Sequence, residues 1–133
     1  MSGILVVAAV IPNTRGLIYV QRRAPDGAYP GEWEFPGGKV EHGECQAAAL
    51  RREIFEELRP RAVIVGDLLA TARCVKTDGR AFPLNFYAVK VPVYLCPVST
   101  EWGFVTEAAA ALLCPNDVAM ALRGVTEITE SVS

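Results

Sequence analysis

Carboxylates are concentrated in one short stretch of this 133-residue chain, residues 37–58, which read GGKVEHGECQAAALRREIFEEL. Three of its Glu, at positions 53, 56 and 57, are spaced i, i+3 and i+4, so a helix would place them on one face. Like charges at that spacing repel by a few tenths of a kcal/mol per pair, and Arg52 is the adjacent cation. The spacing is typical of two things: a solvated acidic helix face, or a site where a hard divalent cation turns repulsion into attraction.

Two glycines, Gly37 and Gly38, precede the predicted helix. Glycine allows backbone conformations that are closed to other residues and lets the main chain approach a ligand closely, although such a pair is equally typical of a tight turn. Lys39 follows them, and its ammonium group can meet a phosphate or lie in solvent. Loop and helix together are a candidate site for a metal and a phosphate.

The surrounding elements follow from the hydrophobic pattern. Strands are predicted over residues 3–11, 17–21, 63–75 and 82–95, and residues 32–35 are predicted to be extended because a proline follows them. The helix is predicted to begin near Glu44, with an apolar face at 47, 50, 54 and 58, and to end before Pro60. Later helices are predicted after Thr106 and after Asn116 or Asp117. This order predicts a mixed sheet with helices packed on it.

Composition bounds the class of protein. The chain has the length of one domain, 1–133, with 51% hydrophobic and 21% charged residues and a formal net charge of −2, which argues against disorder and against a nucleic-acid groove that works by broad electrostatics. No apolar run is long enough to span a membrane. The four dispersed Cys predict reduced thiols, small core residues and a cytoplasmic protein. The single His42 excludes a multi-histidine metal site.

The spacing from Gly38 through Glu44 to residues 52–57 resembles the Nudix box, the signature of hydrolases that cleave nucleoside diphosphates linked to another group. The resemblance covers about residues 38–60 and extends to the preceding WEFPG. It implies an α/β/α sandwich with a mixed sheet, in which the box forms a loop–helix–loop. One departure is that Arg59-Pro60 stands where the family usually has Gly and an aliphatic residue. The tail, 125–133, is expected to fray.

The resemblance also implies roles for the box residues. The carbonyl of Gly37 and the carboxylates of Glu53, Glu56 and Glu57 would bind Mg²⁺ or Mn²⁺. Glu53 is the preferred general base, and Arg52 is expected to orient it. Glu44 is expected to support the loop at the helix start.

Residues 17–44, LIYVQRRAPDGAYPGEWEFPGGKVEHGE, look like the MutT branch of that family, which hydrolyses nucleoside triphosphates to monophosphate and pyrophosphate and often removes oxidised purine nucleotides. By this resemblance Arg23 contacts the nucleotide and Phe35 lines the base pocket; the alternatives are a surface charge and a core aromatic. Gly38 and Lys39 are further candidates for substrate binding. Asn116, in a Pro-Asn-Asp context, is either the reader of 8-oxoguanine or a helix cap.

Many relatives carry a further metal-binding Glu about six residues before a Trp. The matching positions here are Cys96 or Val98, neither a carboxylate, and Glu101 is the nearby acid. The number of metals therefore stays open, as does the choice between monomer and homodimer. The expected partner is a small nucleotide. Other hypotheses are a hydrolase of CTP, a dinucleoside polyphosphate or ADP-ribose, and a nucleotide-sensing domain without turnover.

Overall fold

The computed structural model describes residues 4–23, 31–60, 62–75, 79–91, 95–99, 101–106 and 108–110. Within these ranges lie seven strands and one long helix, α1, which spans Gln46–Leu58. The strands are β1 (Val6–Val10), β2 (Ile18–Arg22), β3 (Trp33–Glu34), β4 (Gly37–Lys39), β5 (Ile64–Val75), β6 (Ala81–Lys90) and β7 (Trp102–Val105).

The strands form two sheets. The larger has the order β4-β1-β6-β5, and it is mixed because β1 and β6 run parallel while the other neighbours are antiparallel. The smaller has the order β3-β2-β7 and is antiparallel throughout. β1 passes into β2 through a turn in which the Asn13 side chain accepts hydrogen bonds from the backbone N–H groups of Arg15 and Leu17, both at 2.9 Å.

Alternation along β1 and β2 builds a core on each face of the sheets, because successive strand side chains point to opposite sides. Val7, Ala9 and Ile11 pack with Tyr19 and with the buried side of α1, which consists of Ala49, Leu50, Ile54 and Leu58. Ala8 and Val10 pack on the other face, in a cluster that also contains Ile18, Val20, Phe35, Phe86 and Ala110. Ala110 belongs to the helical residues 108–110, so helical residues contribute to both cores.

The predicted mixed fold is confirmed, with corrections at particular elements. Thr106 caps the residues that follow it, since its Oγ1 accepts a hydrogen bond from Ala109 N at 3.1 Å. Helix α1 begins at Gln46 rather than near Glu44, with Cys45 at the N-cap and no capping bond from its side chain. The strand predicted over 82–95 ends at Lys90, two residues before a proline that has no N–H to donate. The helix predicted after Asn116 lies outside the described residues.

The sequence pattern missed two strands and misplaced two cysteines. β4 consists of Gly37, Gly38 and Lys39, which pair with β1 although the composition is typical of a turn. β7 pairs with β2 from Trp102 onwards. Cys45 and Cys96 are free thiols, as predicted, but both are exposed rather than in the core. In the part of the chain that the structure describes, no helix has the length and apolarity required to cross a membrane.

Candidate active site

The two glycines of β4 bring strand and helix unusually close together. A Cβ on Gly37 would lie 2.1 Å from the carbonyl oxygen of Val7, and a Cβ on Gly38 would lie 2.5 Å from the carboxyl carbon of Glu53. Real Cβ atoms essentially never approach other atoms so closely. Gly37 is therefore needed for the pairing of β4 with β1, and Gly38 is needed for the position of the Glu53 carboxylate.

Arg52 joins the loop before α1 to the helix. Its Nε and Nη2 donate to the two carboxylate oxygens of Glu44 at 2.8 and 3.0 Å, its Nη1 donates to Glu53 Oε1 at 2.8 Å, and its Nη2 also donates to the Lys39 carbonyl at 3.0 Å. Glu44 also accepts a hydrogen bond from the backbone N–H of Glu41 at 3.0 Å. We name Glu44, Arg52 and Glu53 the arginine cluster. Its geometry agrees with the predicted orienting contact of Arg52 on Glu53.

A second group of polar side chains surrounds Glu57, one turn of α1 further on than Glu53. Glu57 accepts hydrogen bonds from Gly37 N at 3.0 Å and from Gln21 Nε2 at 2.8 Å. The same Gln21 amide nitrogen lies 3.4 Å from Glu34 Oε2, and Gln21 Oε1 accepts a hydrogen bond from the Tyr19 hydroxyl at 2.9 Å. We name Tyr19, Gln21, Glu34 and Glu57 the amide cluster.

The two clusters differ in their titration. Hydrogen bonds from Arg52 lower the pKa of Glu44 to about 2. Burial raises the pKa of Glu53 above its ordinary value, although Arg52 opposes the shift. Burial, together with the charges of Glu34 and Glu53, raises the pKa of Glu57 to about 8. Burial also raises the pKa of Glu34 against the opposing effect of Arg23.

The third predicted carboxylate on the helix, Glu56, is placed differently. Its side chain is 59% exposed and approaches Arg52 Nη1 only to 3.8 Å, whereas the side chain of Glu53 is 18% exposed. The i, i+3, i+4 pattern therefore gives one solvent-facing carboxylate and two that are partly or largely enclosed.

The end of α1 keeps Glu57 in place despite the unusual residues that follow. Arg59 adopts the left-handed conformation, with φ 49° and ψ 48°, at the position where the family usually has Gly. Two backbone N–H groups of the segment 95–99 then donate to the last helical carbonyls: Cys96 to Leu58 at 2.7 Å and Val98 to Glu57 at 2.8 Å. The segment that lacks the expected extra Glu thus closes the helix C-terminus.

Glu101 is engaged elsewhere. Its Oε2 accepts a hydrogen bond from Arg22 Nη1 at 2.8 Å, and Arg22 Nε donates to the Gly31 carbonyl at 2.8 Å. Arg22 and Gln21 are neighbours on β2, so their side chains point to opposite faces. Glu101 therefore lies on the face away from Glu57.

The predicted substrate contacts are only partly brought together. Arg23 forms an ion pair with Glu34, at the edge of the amide cluster. Lys39 is exposed. Phe35 is 4% exposed and packs edge-on against Phe86, with ring centroids 5.8 Å apart, so it belongs to the core. Asn116 lies outside the described residues, and its role stays a prediction.

The donor atoms of the candidate metal site are engaged within the protein. Among the described residues no three His, Cys, Asp or Glu side chains converge as a group that could hold an ion. Glu53 is hydrogen-bonded to Arg52, and Glu57 is hydrogen-bonded to Gln21 and Gly37. The chemistry of the donors nevertheless suits a hard cation, since carboxylate oxygens are what Mg²⁺ prefers. Gly38 leaves space that the Glu53 carboxylate fills.

Three members of the amide cluster, Tyr19, Gln21 and Glu34, were not predicted as site residues from the sequence. Gln21 is 4% exposed, a polar side chain buried on a strand of apolar neighbours. That position in LIYVQ was the available signal, because a buried amide needs partners. Glu34 is in the WEFPG stretch and gave no signal of its own.

The fold and these clusters define an α/β protein with a carboxylate-lined candidate active site on a strand–loop–helix unit. A family model described as "NUDIX domain" matches residues 4–126, and the chain belongs to this family.

Individual relatives match shorter regions. The chain is 45% identical to the CTP pyrophosphohydrolase of Escherichia coli (strain K12) over 89 residues, 67% of this chain and 64% of that protein. It is 38% identical to the 8-oxo-dGTP diphosphatase of the same organism over 58 residues, 44% of this chain and 45% of that protein. Each match thus spans less than two thirds of the relative. The crystal structure of a MutT protein from Methanosarcina mazei Go1 superposes with a TM-score of 0.84 at 20% identity, covering 95% of this chain and 94% of that one.

Proposed function

We propose that the protein is a Mg²⁺-dependent pyrophosphohydrolase that converts a nucleoside triphosphate to the monophosphate and pyrophosphate, with 8-oxo-dGTP as the favoured substrate. The observation that carries the proposal is that two adjacent glycines of β4 each position one carboxylate of α1. Gly38 provides the space for the Glu53 carboxylate, and the next residue towards the N-terminus, Gly37, holds Glu57 through its N–H. The carboxylates of Glu53 and Glu57, one helical turn apart, are thereby held against neighbouring residues of the same strand.

The reaction is attack of a water oxygen on a phosphorus of the triphosphate chain. A bond forms between this oxygen and phosphorus, the bridging P–O bond to the leaving group breaks, and the water proton passes to a base. Glu53 is the proposed base because burial raises its pKa towards the range in which a carboxylate accepts a proton effectively. The hydrogen bond from Arg52 Nη1 holds the Glu53 carboxylate in one orientation.

The proposed ligands of the divalent cation are the Gly37 carbonyl and the carboxylates of Glu53, Glu56 and Glu57. When bound, such a cation neutralises phosphate charge and lowers the pKa of the attacking water. Glu57 supports this assignment, since burial and then the charges of Glu34 and Glu53 raise its pKa, and its hydrogen-bond donors, Gln21 and Gly37, are neutral. A cytoplasmic location and the choice between monomer and homodimer stay predictions.

CTP is the second candidate substrate. The relative that covers the larger share of this chain, at 45% identity, is a CTP pyrophosphohydrolase. The 8-oxo-dGTP diphosphatase is less similar and covers a shorter region. Base recognition, rather than the phosphate chemistry, separates these two candidates.

A panel of nucleotides tests the proposal. Pyrophosphate release from 8-oxo-dGTP, dGTP and CTP is measured with Mg²⁺ and with excess chelator. We expect turnover that requires the metal and a larger kcat/KM for 8-oxo-dGTP than for dGTP. If only CTP is hydrolysed, CTP replaces 8-oxo-dGTP as the proposed substrate. Metal-dependent nucleotide binding without product formation would instead support the nucleotide-sensing hypothesis.

Asn116 provides a sharper test of substrate choice. An unmet buried polar group costs about 1–3 kcal/mol, so an amide that reads the oxidised base gives roughly ten- to a hundredfold discrimination. Asn116→Ala should then reduce kcat/KM for 8-oxo-dGTP more than for dGTP. An unchanged ratio, with stability lowered by about 1 kcal/mol, would identify Asn116 as a helix cap.

A further inference from the structure

The amide cluster contains a polar side chain with an unusual position. Gln21 is only 4% exposed. Apart from Tyr19, whose hydroxyl contacts it, no other side chain with a polar or charged group is buried in the described ranges. It is on β2, in the smaller sheet, and reaches Glu57 at the last turn of α1 and Glu34 on β3. A buried amide of this kind must satisfy both its donors and its acceptor.

The orientation of the Gln21 amide follows from its partners. The Tyr19 hydroxyl donates to Oε1, so the NH₂ group faces the carboxylates of Glu57 and Glu34. The reverse orientation would place the amide oxygen against carboxylate oxygens, which cannot donate to it when ionised. Tyr19 itself is fully buried, and its ring packs against Trp102 and Phe104 of β7 at centroid distances of 6.0 and 5.7 Å. The hydroxyl is therefore fixed by packing.

We propose that Gln21, oriented by Tyr19, is a positioning residue that directs the Glu57 carboxylate towards bound divalent metal. This inference rests on the proposed function, and it assigns the role to a chain of contacts that begins where the Tyr19 ring packs against Trp102 and Phe104 of β7. Gln21 donates to one oxygen of Glu57, Oε1, while Gly37 N donates to the other, Oε2. Two donors from two different strands fix the carboxylate plane, and each oxygen keeps lone pairs for a metal.

The contact also explains how the site keeps its geometry without the extra family Glu. Positions 96 and 98 supply only backbone N–H groups to the end of α1, and Glu101 bonds Arg22 on the other face. The orientation of Glu57 then depends on β2 and β4. Partners that orient metal ligands typically change metal affinity or activity 10- to 100-fold when they are removed.

Gln21→Met is the test variant, because Met has a similar length and volume and cannot donate. Gln46→Met is the matched control. Gln46 is also partly buried and accepts hydrogen bonds from Asn85 and Tyr87 at 2.7 and 2.8 Å, at the opposite end of α1. Binding of Mn²⁺ to the substrate-free protein is measured by electron paramagnetic resonance of the free ion, beside a thermal melt and the Mg²⁺ dependence of kcat and KM.

We expect Gln21→Met to weaken Mn²⁺ binding about tenfold and to raise the half-activating Mg²⁺ concentration similarly, while KM at saturating Mg²⁺ changes less. Gln46→Met should leave Mn²⁺ affinity unchanged. In a Glu57→Gln background, Gln21→Met should weaken binding less than twofold further, because its effect passes through Glu57. Tyr19→Phe should weaken binding a few-fold, and it carries the test if Gln21→Met does not fold.

Mn²⁺ affinity within twofold of wild type in Gln21→Met, or in Tyr19→Phe where that variant carries the test, overturns the inference. An equal loss with and without Glu57 also overturns it. These outcomes are distinct from failure of the proposed function. A wild-type protein without metal-dependent hydrolysis removes both, whereas an active wild type with an unaffected Gln21→Met variant removes this inference alone.

Discussion

The arginine cluster and the amide cluster meet adjacent residues of β4, Gly38 and Gly37, and they differ in the donors that they give to their carboxylates. In the arginine cluster one guanidinium is hydrogen-bonded to both Glu44 and Glu53, and the pKa of Glu44 falls to about 2. In the amide cluster the donors that the structure gives to Glu57 are an amide and a backbone N–H, both neutral, and its pKa rises to about 8.

The difference shows what each cluster lacks. In the arginine cluster the guanidinium of Arg52 offsets part of the charge of Glu44 and Glu53 and fixes the positions of their carboxylates. Glu57 is oriented by hydrogen bonds from neutral donors, and burial together with the charges of Glu34 and Glu53 raises its pKa. A bound cation would supply the compensating charge. Orientation and neutralisation are thus provided separately, and only the second requires a ligand from outside.

The largest effect is expected from Glu53→Gln. The change keeps the shape of the side chain but removes the proposed base and a charged ligand, so kcat should fall at least about 100-fold. The melting temperature should stay close to that of wild type. Glu41→Gln is the control, since Glu41 is 69% exposed and reaches Arg52 only at 3.9 Å. Activity of Glu53→Gln within a few-fold of wild type would remove Glu53 from the mechanism.

Gly38→Ala should come next, and Gly37→Ala is its matched control. The new Cβ at position 38 would meet the Glu53 carboxylate at 2.5 Å and displace it, so kcat should fall about ten- to a hundredfold with the fold retained. The Cβ at position 37 would meet backbone, which cannot move aside, so stability should fall by about 3 kcal/mol. Chemical denaturation beside steady-state kinetics separates the two. Equal loss of stability in both variants would contradict the assignment of Gly38.

Stability of the metal-free protein should fall as pH rises from about 5 to 8. The folded pKa of Glu57 is raised from 4.5 to about 8, so in this window the folded state holds a proton that the unfolded state has lost. Stability then decreases by at most about 1.4 kcal/mol per pH unit. The lowered pKa of Glu44 acts in the opposite sense but only below its unfolded value, outside this window.

Mg²⁺ should raise the melting temperature more at pH 8 than at pH 5, because it binds the deprotonated carboxylates. Thermal melts across this range, with and without Mg²⁺, measure both effects. Glu57→Gln should flatten the pH dependence of the metal-free protein. An unchanged slope in Glu57→Gln would show that the titration belongs to another group.

The smallest effect is expected from Arg59→Gly, at the end of the helix that carries Glu57. The left-handed conformation costs a non-Gly residue about 1–2 kcal/mol, and replacing Arg59 by Gly removes this cost. Part of the resulting stabilisation is lost because glycine makes the unfolded chain more flexible. Stability should therefore rise by about 0.5–1 kcal/mol with kcat unchanged. Arg51→Gly, in the exposed helix interior, should instead lower stability by about 1 kcal/mol. Denaturant midpoints that move in the same direction for both variants would contradict this account of Arg59.

Patterns local in the chain were predicted well from sequence. The spacing of Glu53, Glu56 and Glu57 placed them on one helix, and the box resemblance gave the family. The apolar period gave three of the four buried residues of α1, but it included Ala47, which is only partly buried, and missed Ala49. The hydrogen bond from Arg52 to Glu53 was also anticipated, because it joins neighbouring residues of the motif. The hydrogen bonds from Arg52 to Glu44 were not predicted.

Contacts between distant segments could not be predicted. The strand formed by Gly37 and Gly38 exists because β1 lies beside it. The core position of Phe35 depends on Phe86, and Glu101 was uncertain because its partner is 79 residues away.

The sequence by itself determined which carboxylates lie on the helix, since helical periodicity requires only the order of neighbouring residues. Only the tertiary structure decided the pKa shifts of Glu53 and Glu57. Burial of Glu57 beside Glu34, and its neutral partner Gln21, result from strands that meet α1 only when the sheets have formed. A pKa depends on the charges and the solvent that surround the group in space. The order of residues along the chain does not give the distances between groups that are far apart in sequence.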